Sequence, residues 1–290
     1  MVSRLSPMTN GDVERADPTA AVAGRNPLPP LFRWPGGKRW LVSTLLEIVP
    51  DRFERYYEPF FGAGALFFAL RPRHSVIADL NTALTSCLAQ VRDHPADVER
   101  LLRSLPRDEA AYYRIRAQKP TDPIERAARL IYLTTLAFNG IHRVNRRGDF
   151  NVPYGGRQYP TLGSPGQLVG YSDLLRQAEI RNGDFAETVA DAGRGDLVYL
   201  DPPYTVRHDN NGFLRYNERI FSMLDQERLG RVAQELSDRG ACVVVSNAAH
   251  PSVIAQYPSF RMIRVQRTSA MAADPTKRGR VEEVVFTNAR

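Results

Sequence analysis

The chain has 290 residues, of which 43% are hydrophobic, and carries 39 Lys and Arg against 32 Asp and Glu for a formal charge of +7. That length suits one large domain or a domain with a sizeable insertion, and the positive balance favours a polyanionic partner. No apolar stretch is long enough to span a bilayer, the two cysteines (Cys87 and Cys242) speak against a disulfide framework, and the five scattered histidines predict no metal site.

Residues 1–30 are rich in Ala, Pro, Gly and Asp without apolar periodicity and are expected to form a disordered tail. They lack the basic and apolar regions of a signal peptide, so a reducing cytoplasm is the expected compartment. Order should begin at Leu31, in Leu31-Phe32-Arg33-Trp34-Pro35-Gly36-Gly37-Lys38. Leu41, Leu45, Leu46 and Val49 then follow a helical period until Pro50. The glycine pair can present N–H groups to an anion at a helix start, with Lys38 as a point charge, or it can be a plain turn. Tyr56 to Leu66 reads as a strand, a small-residue turn and an apolar helix, which lets a ligand approach the backbone. Asp79 follows Gly62 by about seventeen residues, close to the spacing at which an acid grips a ribose diol. The glycine pattern falls short of GxGxxG and suits a mononucleoside better than a dinucleotide.

From about Asn81 to Phe138 the pattern is helical, broken at Pro106, Pro120 and Pro123. Phe138 to Val152 reads as a hairpin with a cationic turn near Arg146-Arg147-Gly148-Asp149, either a ribbon sized for a DNA major groove or a solvated basic loop. Glu179 to Asn182 is expected to be a short strand ending at Gly183-Asp184-Phe185. Leu197-Val198-Tyr199-Leu200 reads as a buried strand that Asp201-Pro202-Pro203-Tyr204 stops abruptly. An acid at a strand's carboxyl end, a stiff kink exposing a carbonyl, and an aromatic face suit an exocyclic amine and its ring. An ordinary capping Asp before a proline turn is the plain alternative. Thr205 to Asn217 reads as a mobile polar stretch, Asp225 as the cap of a helix closed by Gly240, and Ala241 to Ser246 as a buried strand. Phe260 to Thr268 and Val281 to Thr287 alternate like an antiparallel pair, with Lys277, Arg278 and Arg280 in the loop between.

Assembled, these segments resemble the Dam-type, alpha-group N6-adenine DNA methyltransferases from about Phe32 to the end of the chain. Trp34-Pro35-Gly36-Gly37-Lys38 matches the first cofactor motif, Glu58 to Gly64 the glycine loop, and Ala78-Asp79-Leu80-Asn81 the ribose-binding acid. Gly183-Asp184-Phe185 is similar to the next cofactor motif, Phe138 to Gly155 to the recognition hairpin, and Asp201 to Tyr204 to the catalytic motif. The resemblance implies a Rossmann-like α/β methyltransferase fold: a mostly parallel seven-stranded sheet with an antiparallel C-terminal strand. It implies a catalytic domain of residues 31–82 and 178–290, and a helical target-recognition insertion of residues 83–177 carrying the hairpin.

The activity so implied is methyl transfer from S-adenosylmethionine to N6 of a flipped-out adenine in a specific sequence of double-stranded DNA. Trp34, Lys38, Phe60, Gly62, Gly64, Asp79, Asp184, Phe185 and Asp201 would line the cofactor site. Asp201, Pro202 and Tyr204 would be catalytic, and Asn139, Arg143, Arg146 and Arg147 would contact DNA. Residues around Ile141-His142 and Val144 depart from GATC-methylating members. A monomer of bacterial or phage origin, acting at the nucleoid, is expected. Two rivals remain: a methyltransferase for RNA or a protein amide, without need of a duplex-reading hairpin, and a non-catalytic DNA-binding protein, without need of Trp34, Lys38, Asp79 and Asp201 together.

Overall fold

The computed structural model describes residues 28–145, 147–156, 162–204, 221–268 and 280–289. Seven strands form one sheet: β1 Tyr56–Glu58, β2 Ser75–Ala78, β3 Ala178–Arg181, β4 Leu197–Leu200, β5 Cys242–Ala248, β6 Arg261–Thr268 and β7 Arg280–Thr287, in the order β3-β2-β1-β4-β5-β7-β6. The pairings among β1 to β5 are parallel, and β7 runs antiparallel to both β5 and β6, so the sheet is mixed. The expected alternation of the last two segments is realised as the β6–β7 pair, in register from Arg261 opposite Thr287 to Thr268 opposite Arg280.

Because successive side chains point to opposite faces of a strand, the apolar runs supply two cores. Tyr56, Ile77, Leu197, Tyr199, Val244 and Val285 face one side, and Tyr57, Val76, Val198, Leu200, Val243, Val245, Val284 and Phe286 face the other. The first face is covered by α1 Val42–Ile48, α2 Ala65–Leu70, α3 Thr82–Asp93, α4 Pro95–Ser104, α5 Glu109–Ala117, α6 Pro123–Leu136 and α7 Val169–Leu175. The second is covered by α8 Phe185–Thr188, α9 Met223–Asp238 and α10 Pro251–Ile254. No helix among the described residues is long and apolar enough to cross a membrane.

Local signals explain the helix ends. The Asn81 carboxamide accepts the N–H groups of Ala83 and Leu84 at the start of α3, and Asp108 and Asp122 cap α5 and α6. Pro106 falls between α4 and α5, Pro120 between α5 and α6, and Pro123 opens α6, where its missing N–H costs nothing. α9 differs from expectation. Its cap is Ser222, and Asp225 is the third helical residue, returning a bond to the Ser222 N–H in a capping box. Leu46 also differs: it is 38% exposed, while Leu41 and Leu45 are buried. Residues 28–30 are packed rather than part of the tail, since the Leu28 N–H donates to the Phe68 carbonyl and the Pro29 carbonyl accepts the Tyr171 hydroxyl. Residues 1–27, the whole segment Thr205 to Asn217, and Lys277 and Arg278 lie outside the described residues.

The strand order places the site. β1 continues to β2 and β3 on one side and β4 to β5 on the other, so the carboxyl ends of neighbouring β1 and β4 form the switch point at which open α/β sheets bind ligands. Glu58 ends β1 and Asp201 follows β4 there.

Candidate active site

Four buried residues carry β4 to Leu200, and Pro202 and Pro203 turn the chain away directly after Asp201. Lys38 Nζ lies 2.6 Å from Asp201 Oδ1, and the Ser246 hydroxyl on β5 donates to the same oxygen at 2.7 Å. Ser246 Oγ is in turn 3.0 Å from the Tyr199 hydroxyl. Burial pushes the Asp201 carboxyl above its ordinary value, while Lys38 and Ser246 pull it back down. Lys38 sits 4.6 Å above the Tyr204 ring centroid and 4.0 Å from Glu283 Oε2, and the Tyr204 hydroxyl donates to that oxygen at 2.5 Å. The Glu58 carboxyl nearby is pushed well above the usual carboxylate range, chiefly by burial, and it accepts the Tyr56 hydroxyl at 2.8 Å.

Lys38 is therefore not a free charge beside an anion site. The Gly37 N–H closes a turn onto the Trp34 carbonyl, α1 starts only at Val42, and Lys38 Nζ is directed at Asp201 and the Gly36 carbonyl. A buried ammonium needs a carboxylate partner, and here Asp201 supplies it.

Asp79 stands at the carboxyl end of β2. One carboxylate oxygen accepts the Gly62 N–H at 3.0 Å and the other the Asn81 N–H at 2.9 Å. Burial raises its pKa and those two bonds oppose the rise. The Asn182 carboxamide, just past β3, donates to the Asp79 carbonyl at 2.8 Å and joins the adjacent strand ends. Gly62 has φ +49°, and a Cβ there would come within 3.1 Å of the Trp34 indole. Gly64 has φ +63°, and a Cβ would lie 2.3 Å from the Phe61 ring, so only glycine fits that turn.

Phe60 stacks on Phe185 at 5.3 Å, and Phe221 closes against both. Asp184 caps α8 by accepting the Ala186 N–H and forms an ion pair with Arg228 of α9. The Arg228 guanidinium lies 4.2 Å over the Phe185 ring. Asp184 and Phe185 thus already have partners within the chain.

The Phe138 to Val152 segment is a hairpin of irregular kind. Val144 pairs with Phe150 and Ala137 with Tyr154 as isolated bridges, with a single 3-10 turn at Phe138–Gly140 interrupting one arm. Its tip is held by the Asn145 side chain, which accepts the Arg147 and Asp149 N–H groups, and by Lys119, 2.6 Å from Asp149. Phe138 and Asn139 are exposed, Asn139 with φ +54°, a conformation asparagine tolerates. The exposed Arg143 guanidinium donates to the Asn151 side chain at 2.8 Å. Arg147 is exposed, and Arg146 lies outside the described residues. His142 stacks on Trp34 with centroids 4.5 Å apart and planes 20° apart, and burial lowers its pKa to about 4.

Sequence reasoning brought Trp34, Lys38, Gly62, Asp79 and Asp201 to one end of the sheet and missed Ser246, Glu283, Arg228 and His142. Ser246 and Asn247 did carry a signal, two polar residues ending an otherwise apolar strand. Glu283 was hidden in an alternating strand with Glu282 beside it, where only the register decides which acid points inward.

A model of the D12 class N6 adenine-specific DNA methyltransferases matches residues 34–271. The chain is 34% identical over 272 residues to the Type II methyltransferase M1.LlaDCHI of Lactococcus lactis subsp. cremoris, covering 90% of this chain and 95% of that protein. It is 31% identical to the Type II methyltransferase M.MjaIII of Methanocaldococcus jannaschii, over 81% of this chain and 90% of that one. Against the DNA adenine methylase of Escherichia coli (strain K12) it is 28% identical, over 88% of this chain and 93% of that one. With the matched span taking in Trp34, Asp79, Asp201 and every strand but β7, the chain belongs to the D12 class of N6 adenine-specific DNA methyltransferases.

Proposed function

We propose that this enzyme transfers a methyl group from S-adenosylmethionine to N6 of an adenine flipped out of double-stranded DNA, within one short recognised sequence. The observation that carries the reading is the Asp201 carboxylate, held ready by Lys38 and Ser246 at the strand end beside the Tyr204 ring. We read residues 31–82 and 178–290 as the catalytic domain, in the Rossmann-like methyltransferase arrangement, and 83–177 as the target-recognition insertion. Its place of action would be a cytoplasm containing DNA.

The residues present fit a nucleoside cofactor. Each Asp79 oxygen accepts a single backbone N–H, and a carboxylate has about four lone-pair positions, so both oxygens keep capacity for a diol. The neighbouring Gly62 lacks the Cβ that would press on the Trp34 indole. S-adenosylmethionine, when bound, supplies a methyl group on a sulfonium centre. Asp79→Ala is expected to weaken its binding about tenfold or more, because a charge-assisted hydrogen bond contributes roughly 1.5–3 kcal/mol. Calorimetry on the DNA-free protein reads this directly, and unchanged affinity would place the nucleoside elsewhere.

Adenine N6 is a poor nucleophile because its lone pair is conjugated into the ring. Asp201 and the Pro202 carbonyl would accept hydrogen bonds from the N6–H groups, concentrating electron density on nitrogen and fixing its direction. Lys38 and Ser246 both engage Asp201 Oδ1, leaving Oδ2 to face the amine. Positioning and electrostatics then carry the rate, with little acid–base work. The target atom lies inside the duplex, so the base must leave the stack, and Tyr204 would receive its face. Phe138, 46% exposed at the start of the hairpin, has the apolar ring to fill the vacated stack.

Asn139, Arg143, Arg146 and Arg147 are the hairpin residues we assign to DNA. Arg143→Ala is expected to relax preference at one flanking base pair, since a bidentate arginine–guanine contact contributes about 1–3 kcal/mol of discrimination. Arg147→Ala should instead weaken binding to all sequences and flatten the salt dependence. Methylation rates on a library randomised around the target separate the two. An Arg143 variant that lowers every rate equally would show a positioning role.

The whole reading is tested by incubating unmethylated duplex DNA with purified protein and S-adenosylmethionine, followed by modification-sensitive long-read sequencing. N6-methyladenine at one short sequence is expected. Methylation of RNA or protein only, or none at all, would overturn it.

A further inference from the structure

Glu283 lies on β7, beyond the residues matched by the family model, and it is 1% exposed. A carboxylate is seldom buried so fully unless a specific partner requires it. Strand register explains its direction. Glu283 pairs with Ala248 on β5 and Val265 on β6, and the adjacent Glu282 takes the opposite face, where it meets the exposed Arg264 guanidinium at 3.0 Å. The inward acid reaches the carboxyl end of β4: Oε2 accepts the Tyr204 hydroxyl at 2.5 Å and lies 4.0 Å from Lys38 Nζ, which is itself 2.6 Å from Asp201.

We propose that Glu283 is a positioning residue for methyl transfer, fixing the plane of the Tyr204 ring through its hydroxyl so that the flipped adenine meets a preset stacking face. This rests on the reading of Tyr204 as the stacking surface. Pro203 restrains the backbone before Tyr204, but a tyrosine side chain keeps two rotatable bonds. One short bond from its far end to a carboxylate on the sheet removes most of that freedom before substrate arrives. A phenol bonded to a carboxylate also has a more electron-rich ring, which favours contact with a base that gains positive character as its amine is methylated.

The test uses the full-length protein and initial rates of labelled methyl transfer to unmethylated genomic DNA. Tyr204→Phe deletes only the atom that Glu283 holds and should lower kcat about tenfold, with the KM for S-adenosylmethionine within about twofold. Glu283→Met, close in volume but without an acceptor, should lower kcat to the same extent, and Glu283→Gln, which keeps an acceptor for the hydroxyl, should recover most of the loss. The double variant Tyr204→Phe/Glu283→Met should be no slower than the worse single variant. Multiplying effects would overturn the proposal and assign Glu283 to Lys38 instead. Should Glu283→Met fail to fold, Tyr204→Phe still decides: a wild-type rate overturns the proposal. Tyr204→Ala separates the two ideas, because a wild-type rate there rejects the stacking role itself. A large loss in Tyr204→Ala with none in Tyr204→Phe rejects only the role of Glu283.

Discussion

Asp201→Ala is expected to lower methyl transfer to duplex DNA at least about 100-fold while the protein stays folded and still binds DNA. Loss of one preorganised electrostatic group that acts in the transition state typically costs that much. The fold should survive because the rest of β4 is buried between β1 and β5 without help from the carboxylate. Lys38, deprived of Asp201, keeps the Glu283 carboxylate 4.0 Å away. Labelled methyl transfer, with thermal melting and a DNA-binding curve as controls, gives the answer. Turnover within a few-fold of wild type would end the assignment of Asp201.

Lys38→Met should produce the largest loss of stability, about 3–5 kcal/mol near neutral pH, because it strands a mostly buried carboxylate without its cation. The sign of its pH dependence follows from Asp201. Burial already holds that carboxyl above its ordinary value, with Lys38 first among the influences pulling it back, so the substitution raises it further. A group whose folded pKa exceeds its unfolded value of about 3.9 favours the folded state in its protonated form. Its contribution is fully present below the unfolded value and lost as pH rises through the folded one. The gap in Tm between wild type and variant should therefore be widest on the alkaline side, where Asp201 is ionised, and narrow on acidification. A constant gap would mean that Asp201 ionisation is not what Lys38 controls.

Most of the sheet was legible because buried parallel strands read as continuous apolar runs, and the motifs fall where those runs stop: Asp79 after β2 and Asp201 after β4. Helix starts were legible where one side chain does the capping, as at Asn81, and misread at α9, where Ser222 and Asp225 share the task. What stayed hidden was lateral. The order β3-β2-β1-β4-β5-β7-β6 brings Ser246 and Glu283 beside Asp201, although they lie 45 and 82 positions further along the chain. Nothing local in either segment names that partner. Arg228 was hidden similarly, since a polar residue on a helical face reads as solvated until Asp184 is placed opposite it.

The stack of His142 on Trp34 bears on how such enzymes can be re-engineered. Trp34 packs against Gly62, whose N–H is bound by Asp79, so one indole is shared between the hairpin and the carboxyl end of β2. The hairpin we propose as the recognition arm is consequently not a detachable cassette. A graft of residues 138–152 with a small side chain at position 142 removes a ring from beneath Trp34, an aromatic contact of about 0.5–1.5 kcal/mol, and loosens the indole that rests on Gly62. Chimaeras built to change the sequence read should carry position 142 with the scaffold, not with the donor arm, and lineages that alter one member of the Trp34–His142 pair should be found to have altered the other.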